Sequence, residues 1–322
     1  MRLQAKQFIA IAQLTALEAI RQPICLLVAA SCVVLISLMP FLITHTLGES
    51  EKLIRDSALA AHFVCGLILG AYIACSTITR EMKRGTLSTV LSKPVSWGCF
   101  FLAKFSGAAL VILFFSISAT IAAILATRAV APDYEIDWWA GLPLLLAAPS
   151  ACVLATLRNY FIRRSFASGA FVLMTLALLL AFILNGFIGL HGARVAFGSA
   201  LDFRILPADL LITVAIVVLT SIAVSLATRF DTVPTLSLCS VILMLGLMSD
   251  YLFGRHAADS GIAATLYVIV PNWQHFWVTD ALVGQGTIPW HYVAWASGYG
   301  FLYMAGILCF GLLAFRTMEV KP

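Results

Sequence analysis

The side chains in this sequence best suited to chemistry near neutral pH are its six histidines. Imidazole binds transition metals and titrates near neutrality, so grouped histidines could form a metal site or a pH sensor. They are His45, His62, His191, His256, His275 and His291. No H-x-H or H-x₃-H pairing brings two of them together. The pattern therefore favours separate polar aromatic residues, and we predict no metal site.

Cysteine is the second residue type that could carry chemistry. The eight cysteines are Cys25, Cys32, Cys65, Cys75, Cys99, Cys152, Cys239 and Cys309. Each stands alone in or beside an apolar run, without C-x-x-C spacing. This placement is typical of small buried apolar side chains rather than of disulfides or metal ligands.

Motifs for catalysis and nucleotide binding are missing from the sequence. It contains no G-x-x-x-x-G-K-[ST], so a nucleotide cannot be held by the P-loop route. H-E-x-x-H and G-x-S-x-G are also absent. We predict that the chain is not an enzyme and holds no cofactor. Any transport against a gradient would need energy from another polypeptide.

The composition indicates where these residues must be positioned. Of the 322 residues, 61% are hydrophobic and 11% charged, against about a quarter charged in soluble domains. Most apolar runs approach the roughly 20 residues that a helix needs to cross a bilayer. The sequence predicts one all-α domain over 1–322, a polytopic helical membrane protein with about eight spans. The predicted spans are 24–46, 57–79, 98–127, 140–157, 166–190, 210–228, 235–253 and 290–315.

Two segments outside the spans are also predicted to contact the bilayer. Residues 1–22 form a weakly amphipathic interfacial helix, with apolar residues recurring along one face. The segment 255–289 contains an apolar piece too short to cross, which predicts an outer re-entrant or interfacial hairpin. Trp273 and Trp277 in that hairpin are interpreted as anchors at the membrane interface.

The charges divide between the two sides that these spans create. The side with both termini, here called the basic side, holds fourteen of the twenty Lys and Arg residues and four of the fifteen Asp and Glu residues. The opposite side, called the acidic side, holds the rest. The positive-inside rule then places both termini in the cytoplasm of a multi-pass protein of the cell (inner) membrane. The net charge of +5 is thus not a nucleic-acid footprint.

The predicted spans contain few ionisable groups. His62 and Asp250 fall near outer span ends and Lys104 near an inner end, while Asp209 is assigned to the loop before the sixth span. We predict no Asp, Glu, Lys or Arg at mid-membrane, which argues against an ion-coupled carrier because the coupled ion needs a charged or titrating partner. The second span also carries a small-residue stripe for helix packing, formed by Gly66, Gly70 and Ala74.

The densest charged stretch, 80–104, lies between the second and third spans. Over 81–96 it reads E-x-x-x-G-T-L-x-x-x-L-S-x-P-V-S, followed by Lys104. Pro94 ends a predicted short helix because it has no N–H and disfavours helical geometry in the preceding residue. An ordinary basic loop that only follows the topology is the alternative interpretation.

This stretch resembles the first cytoplasmic loop of ABC-2-type permeases, the membrane subunits of ATP-binding-cassette exporters. The order of elements is similar as well, although eight spans exceed the usual six and Trp97 stands where a basic residue is common. The resemblance implies a coupling loop at 80–97 that docks in a groove of a separate ATPase subunit. The implied coupling residues are Glu81, Lys83, Arg84, Gly85, Thr86, Leu87, Val90, Leu91 and Pro94.

The resemblance also implies a second permease copy or a paralogue, forming a homo- or heterodimer in the lipid bilayer. The expected function is export of a substrate that the sequence does not identify. Two alternatives stay open: a membrane scaffold that moves no substrate, and an ion-coupled secondary transporter.

Overall fold

The chain folds into a bundle of α-helices. The computed structural model describes residues 2–42, 50–83, 96–130, 136–284 and 286–317. Within these residues the other regular structure is short 3₁₀ turns and two isolated β-bridges. The helices are α1 (Arg2–Ile20), α2 (Pro23–Leu42), α3 (Ser50–Lys83), α4 (Trp97–Arg128), α5 (Trp138–Ile162), α6 (Phe166–Phe187), α7 (Ile205–Leu226), α8 (Thr232–Leu247), α9 (Ser249–Leu252), α10 (Gly261–Ile269) and α11 (Trp290–Arg316).

Local signals in the sequence set several helix starts. Pro23 occupies the first position of α2, where its missing N–H removes no helical hydrogen bond. Ser96 caps α4 by accepting from the backbone N–H of Cys99 at 3.3 Å, and Asp137 caps α5 by accepting from that of Trp139 at 3.1 Å. Such caps satisfy backbone donors that have no partner inside the helix.

Seven of the described helices are long and apolar enough to cross a membrane: α2, α3, α4, α5, α6, α7 and α11. The pair α8 and α9, extended to His256, is bent by 66° and supplies an eighth span if the bent pair is counted as one. Each predicted apolar run falls on one of these elements. The prediction of a polytopic helical membrane protein is confirmed.

The centre of the bundle is formed by α3, α4 and α7. In each of these helices, 67% of the residues in the most apolar 18-residue stretch are buried inside the protein. The corresponding share for α11 is 22%. The helix α11 therefore lies at the rim, where apolar side chains such as Trp295 and Leu302 are exposed. Exposed apolar residues suit a helix whose solvent is lipid.

The ends of the helices group into two faces that match the basic and acidic sides of the sequence. On the basic side, the Trp97 ring at the start of α4 lies 5.2 Å from that of Phe315 at the end of α11. On the acidic side, Nη1 of Arg204, just before α7, donates to the carbonyl of Gly284 at 3.0 Å. The segment after α9 thus shares its face with the loop before α7.

The N-terminal helix α1 packs along the first turns of α4. Its buried face is formed by Ala12, Thr15 and Ala19, while Ile9 and Leu17 are exposed. The exposed apolar side chains suit the lipid contact that the amphipathic pattern predicts.

The segment between α9 and α11 contains the predicted short helix, but one of its tryptophans does not lie where the sequence predicts. The exposed helix α10 coincides with the predicted short apolar piece. Trp273, however, is 1% exposed, so its interpretation as an interface anchor is wrong. A side chain added at Gly246 would overlap with the Trp273 ring and with the carbonyl of Pro271. The missing side chain at Gly246 gives the indole a site inside the protein.

A hydrogen-bonded carboxylate holds this segment to the bend between α8 and α9. Oδ1 of Asp250 accepts from the Tyr267 hydroxyl and from the Asn272 side-chain amide, each at 2.7 Å. The bond to Asp250 raises the pKa of Tyr267. Asp250 therefore stabilises the arrangement of the segment.

Candidate functional site

The predicted coupling residues fall mainly outside the described part of the chain. Glu81 and Lys83 belong to the last turn of α3. The remaining predicted coupling residues lie outside the described residues: Arg84, Gly85, Thr86, Leu87, Val90, Leu91 and Pro94. The described residues that bear on a functional site are therefore those of α3 and α4, which flank this stretch, and those inside the bundle.

The two flanking helices are longer than a bilayer requires. α3 has 34 residues and α4 has 32, about 51 and 48 Å at 1.5 Å per residue. They pack directly on each other and both pack on α7. A displacement at their basic-side ends would therefore be carried into the centre of the bundle.

The small-residue stripe of α3 lies against α7. A Cβ atom added at Gly66 would overlap with the side chain of Ile216, and one added at Gly70 with the hydroxyl of Thr220. Ala74, one turn further along, is fully buried. The absent side chains let the two helix backbones approach closely, as small residues do in membrane helices.

The same face of α3 carries a histidine one turn before the stripe. Four residues before Gly66, the His62 side chain is fully buried between α7 and α4. Its Nδ1 lies 2.8 Å from Oδ1 of Asp209 on α7, and its Nε2 lies 2.9 Å from the Ser116 hydroxyl on α4. The Thr120 hydroxyl donates to the second carboxylate oxygen of Asp209. These four side chains, His62, Ser116, Thr120 and Asp209, form what we call the interior cluster.

The interior cluster corrects the sequence assignment of Asp209. The prediction placed Asp209 in the loop before the sixth span, but α7 begins at Ile205 and Asp209 is 2% exposed. His62 lies three turns inside α3, because that helix begins at Ser50 and not at the predicted start of the span, 57. Both helices extend further towards the acidic side than their apolar runs because their polar residues pair with each other.

The cluster can hold an imidazole in either protonation state. With Nδ1–H donating to the Asp209 carboxylate, a neutral ring accepts at Nε2 from the Ser116 hydroxyl. After protonation Nε2–H donates to the same hydroxyl oxygen, which can rotate its own proton away. No hydrogen bond of the ring is lost in the change. The hydrogen-bond geometry is therefore compatible with a neutral or a charged ring.

Asp209, His62 and Ser116 are hydrogen-bonded in the same sequence as the aspartate, histidine and serine of a nucleophilic triad. A working triad also needs a site that binds the oxyanion. A triad works with donors aimed at a developing oxyanion, commonly backbone N–H groups. Ser116 lies in the middle of α4, where the neighbouring N–H groups are committed to helical hydrogen bonds. We therefore interpret the interior cluster as a buried hydrogen-bonded group and not as a nucleophilic triad.

Lys104 is a further ionisable residue in the bundle. Its side chain is 2% exposed, and Nζ lies 5.6 Å from the centroid of the Phe100 ring on the preceding turn. A cation over an aromatic face is stabilised by the ring quadrupole. This position, two turns into α4, agrees with the predicted inner end of the third span.

The histidines and cysteines do not assemble into a metal site in the part of the chain that is described. No group of three His, Cys, Asp or Glu residues there could hold an ion. All eight cysteines are free, and five of them are buried. Cys32 on α2 lies beside Cys65 on α3. His62, in contrast, is a core residue and not a separate interfacial aromatic.

The signal for the interior cluster was present in the sequence but incomplete. The spacing of His62, Gly66 and Gly70 places all three on one helix face, and so does the spacing of Asp209, Ile216 and Thr220. The sequence does not indicate the partner, because the apolar run that predicts α7 begins after Asp209. Comparison with known proteins adds no assignment, since the chain matches no family model and no curated protein sequence.

Proposed function

We propose that this chain is the membrane-embedded permease subunit of an ABC-2-type ABC transporter. It exports an unidentified substrate, using ATP hydrolysed by a separate ATPase subunit. The observation that carries the proposal is the pair of long helices α3 and α4. They pack on each other and on α7 and are joined by the thirteen residues 84–96, which contain most of the E-x-x-x-G-T-L motif.

The proposed mechanism uses this connection as a lever. Leu87, Val90 and Leu91 form an apolar ridge that seats in a groove of the ATPase, and the charged residues around 81–84 fix its register. Closure of two ATPase subunits pushes the ridge, and α3 and α4 move with it. Rotation of these helices in a dimer of permease subunits then changes the side to which the central cavity opens.

The proposal also includes a second permease subunit and a location in the cell membrane. A second copy of the chain or a paralogue completes the cavity, and both termini lie in the cytoplasm of the cell membrane. The arrangement of charge supports this orientation, because the basic side holds most of the Lys and Arg residues.

Co-purification with ABC ATPase subunits encoded in the same genome tests the proposal. We expect an ATPase to co-purify with the natural chain and the double variant Leu87→Asp, Leu91→Asp to lose most of it, because charge cannot enter an apolar groove. Ile162→Asp is the matched control, since Ile162 is an exposed aliphatic residue on the basic side. Equal ATPase recovery with the double variant would contradict the proposed contact.

The interior cluster favours a second candidate function, a proton-coupled carrier. The sequence argues against such a carrier because no Asp, Glu, Lys or Arg is expected at mid-membrane, whereas Asp209, paired with His62, lies within a helix long enough to span. Proteoliposomes loaded with a pH-sensitive dye separate the two functions. A carrier that leaks protons through the cluster would dissipate a pH gradient faster than its His62→Gln variant. An ATP-driven permease would show the same slow rate for both.

A further inference from the structure

A cavity of about 200 Å³ opens on the acidic side of the bundle. It lies between the start of α3, the end of α4 and the loop that precedes α7. Three arginines line it: Arg55, Arg128 and Arg204. The acidic side has only six Lys and Arg residues by the sequence assignment, so half of them meet at this one cavity. Two carboxylates, Glu51 and Asp202, also line it.

Two of the three arginines are already engaged by carboxylates of the chain. Arg128 donates through Nη1 to Oδ2 of Asp137 at 2.7 Å, and both side chains are buried. Arg204 donates two parallel hydrogen bonds to the Asp202 carboxylate, from Nε to Oδ1 at 2.8 Å and from Nη2 to Oδ2 at 3.0 Å. Bidentate geometry of this kind is the strongest arrangement that a guanidinium makes with an oxyanion.

The pKa values of the second pair reflect this engagement. Burial alone would raise the pKa of Asp202, but the hydrogen bonds from Arg204 outweigh it and bring the pKa below its ordinary value. The bond to Asp202 raises the pKa of Arg204. Asp202 therefore remains a carboxylate whose two oxygens are directed at Arg204.

Arg55 is the arginine of the lining that has no hydrogen-bonded acceptor among the described residues. Its side chain is 4% exposed, and its nearest carboxylate oxygen, Oδ2 of Asp202, is 4.0 Å from Nη1, beyond hydrogen-bond distance. Its Nε is buried and has no acceptor among the described residues. A guanidinium carries five donors and stays charged in proteins, so burying it without acceptors is costly. An oxyanion in the cavity would supply an acceptor for the Nη groups of Arg55 and would offset that cost.

The charge and the size of the cavity define the class of ligand. Arg128 is paired with Asp137 and Arg204 with Asp202, so Arg55 is the arginine of the lining that a single further negative charge would pair with. The volume is below the roughly 300–1,000 Å³ of sites for drug-sized molecules. We propose that this cavity, called here the arginine cavity, binds a monoanionic oxyanion, a phosphodiester or a carboxylate group, with Arg55 as its principal donor.

Such a group could reach the cavity from two sources, a phospholipid headgroup or a small anion in solution. Both present the same oxygen atoms to the guanidinium, so the chemistry of recognition is shared. The cavity lies at the helix ends, where headgroups meet the protein. The inference does not depend on an ATPase partner, and it holds or fails separately from the proposed transport function.

The test measures the thermal unfolding of the full-length protein after removal of lipid in a neutral detergent. Four additions are compared at constant ionic strength: sodium phosphate, sodium acetate, phosphatidylglycerol, and diacylglycerol with the same acyl chains but no phosphate. We expect phosphatidylglycerol to raise the melting temperature more than diacylglycerol if the source is lipid. We expect phosphate or acetate to raise it if the source is a free anion.

The variant Arg55→Gln identifies the site. Its melting temperature should not respond to the effective anion, and without anion it should be at least as high as that of the natural protein, because a buried guanidinium without hydrogen-bonded acceptors has been removed. Arg194→Gln removes the same charge from an exposed position on the same side and should keep the full response. The proposal is overturned if no addition stabilises the natural protein, or if Arg55→Gln responds as strongly as Arg194→Gln.

Discussion

The interior cluster shows how polar side chains are accommodated within an apolar bundle. His62, Asp209 and Ser116 come from three different helices, and both ring nitrogens of the imidazole have a partner. A buried polar group costs free energy unless it is hydrogen-bonded. The cluster is therefore stable only while all three helices keep their register.

This dependence predicts a marked difference between single and double substitutions. His62→Leu should lower the free energy of unfolding by about 3–5 kcal/mol, because it leaves the Asp209 carboxylate buried without its main partner. The double variant His62→Leu, Asp209→Leu should recover most of that loss, since no buried charge is left without a partner. Only the neutral hydroxyls of Ser116 and Thr120 lose a hydrogen bond. Denaturant unfolding of the purified protein in detergent measures both.

His291→Leu is the matched control for this comparison. His291 is exposed at the start of α11, so its removal should leave the unfolding midpoint unchanged. A single His62 variant as stable as the double variant would mean that Asp209 finds another partner and that the cluster does not fix the helix register.

At the scale of the helix, the contact between α3 and α7 depends on residues without side chains. Gly70 lies against Thr220, whose hydroxyl is 2.8 Å from the carbonyl of Ile216 in the same helix. A β-branched side chain in a helix has few rotamers, so Thr220 has little freedom to move away. The contact therefore has no room for a methyl group.

Gly70→Ala is expected to lower the free energy of unfolding by about 1–3 kcal/mol through overpacking. Gly298→Ala provides the opposite case, because nothing lies within 4 Å of a Cβ atom added there. It should stabilise α11 by about 0.5–1 kcal/mol, as Ala does over Gly in a helix interior. If both variants lost stability equally, the effect would come from helix propensity or lipid contact and not from helix packing.

The helices themselves could be predicted from the sequence, because an apolar run of about 20 residues has few alternatives in a bilayer. The residues at which the helices begin and end could not be predicted in the same way. Polar residues at a span end look the same in sequence whether they meet water or a partner, and Asp209 was assigned to a loop for this reason. Trp273 was misassigned similarly, since only the close approach at Gly246 shows that its ring is enclosed.

At the scale of the whole molecule, the two sides of the bundle differ in what they are built to contact. On the basic side, α3 and α4 end at the segment whose motif led to the proposed ATPase contact. On the acidic side lies the arginine cavity, and the interior cluster lies between the two. The three features share α3 and α4, so a movement of these helices at one end would affect all of them.

The orientation of the bundle decides which side can meet an ATPase. Cysteines placed at Asp259 and Arg164, in a chain whose eight native cysteines are replaced by serine, test it because both positions are exposed and lie on opposite sides. A maleimide that cannot cross membranes should label Asp259→Cys in intact cells and label Arg164→Cys only after cell disruption. The physical reason is the unequal distribution of Lys and Arg, which resist translocation. Labelling of Arg164→Cys in intact cells would place residues 84–95 outside as well, where no ATP-hydrolysing subunit could reach them.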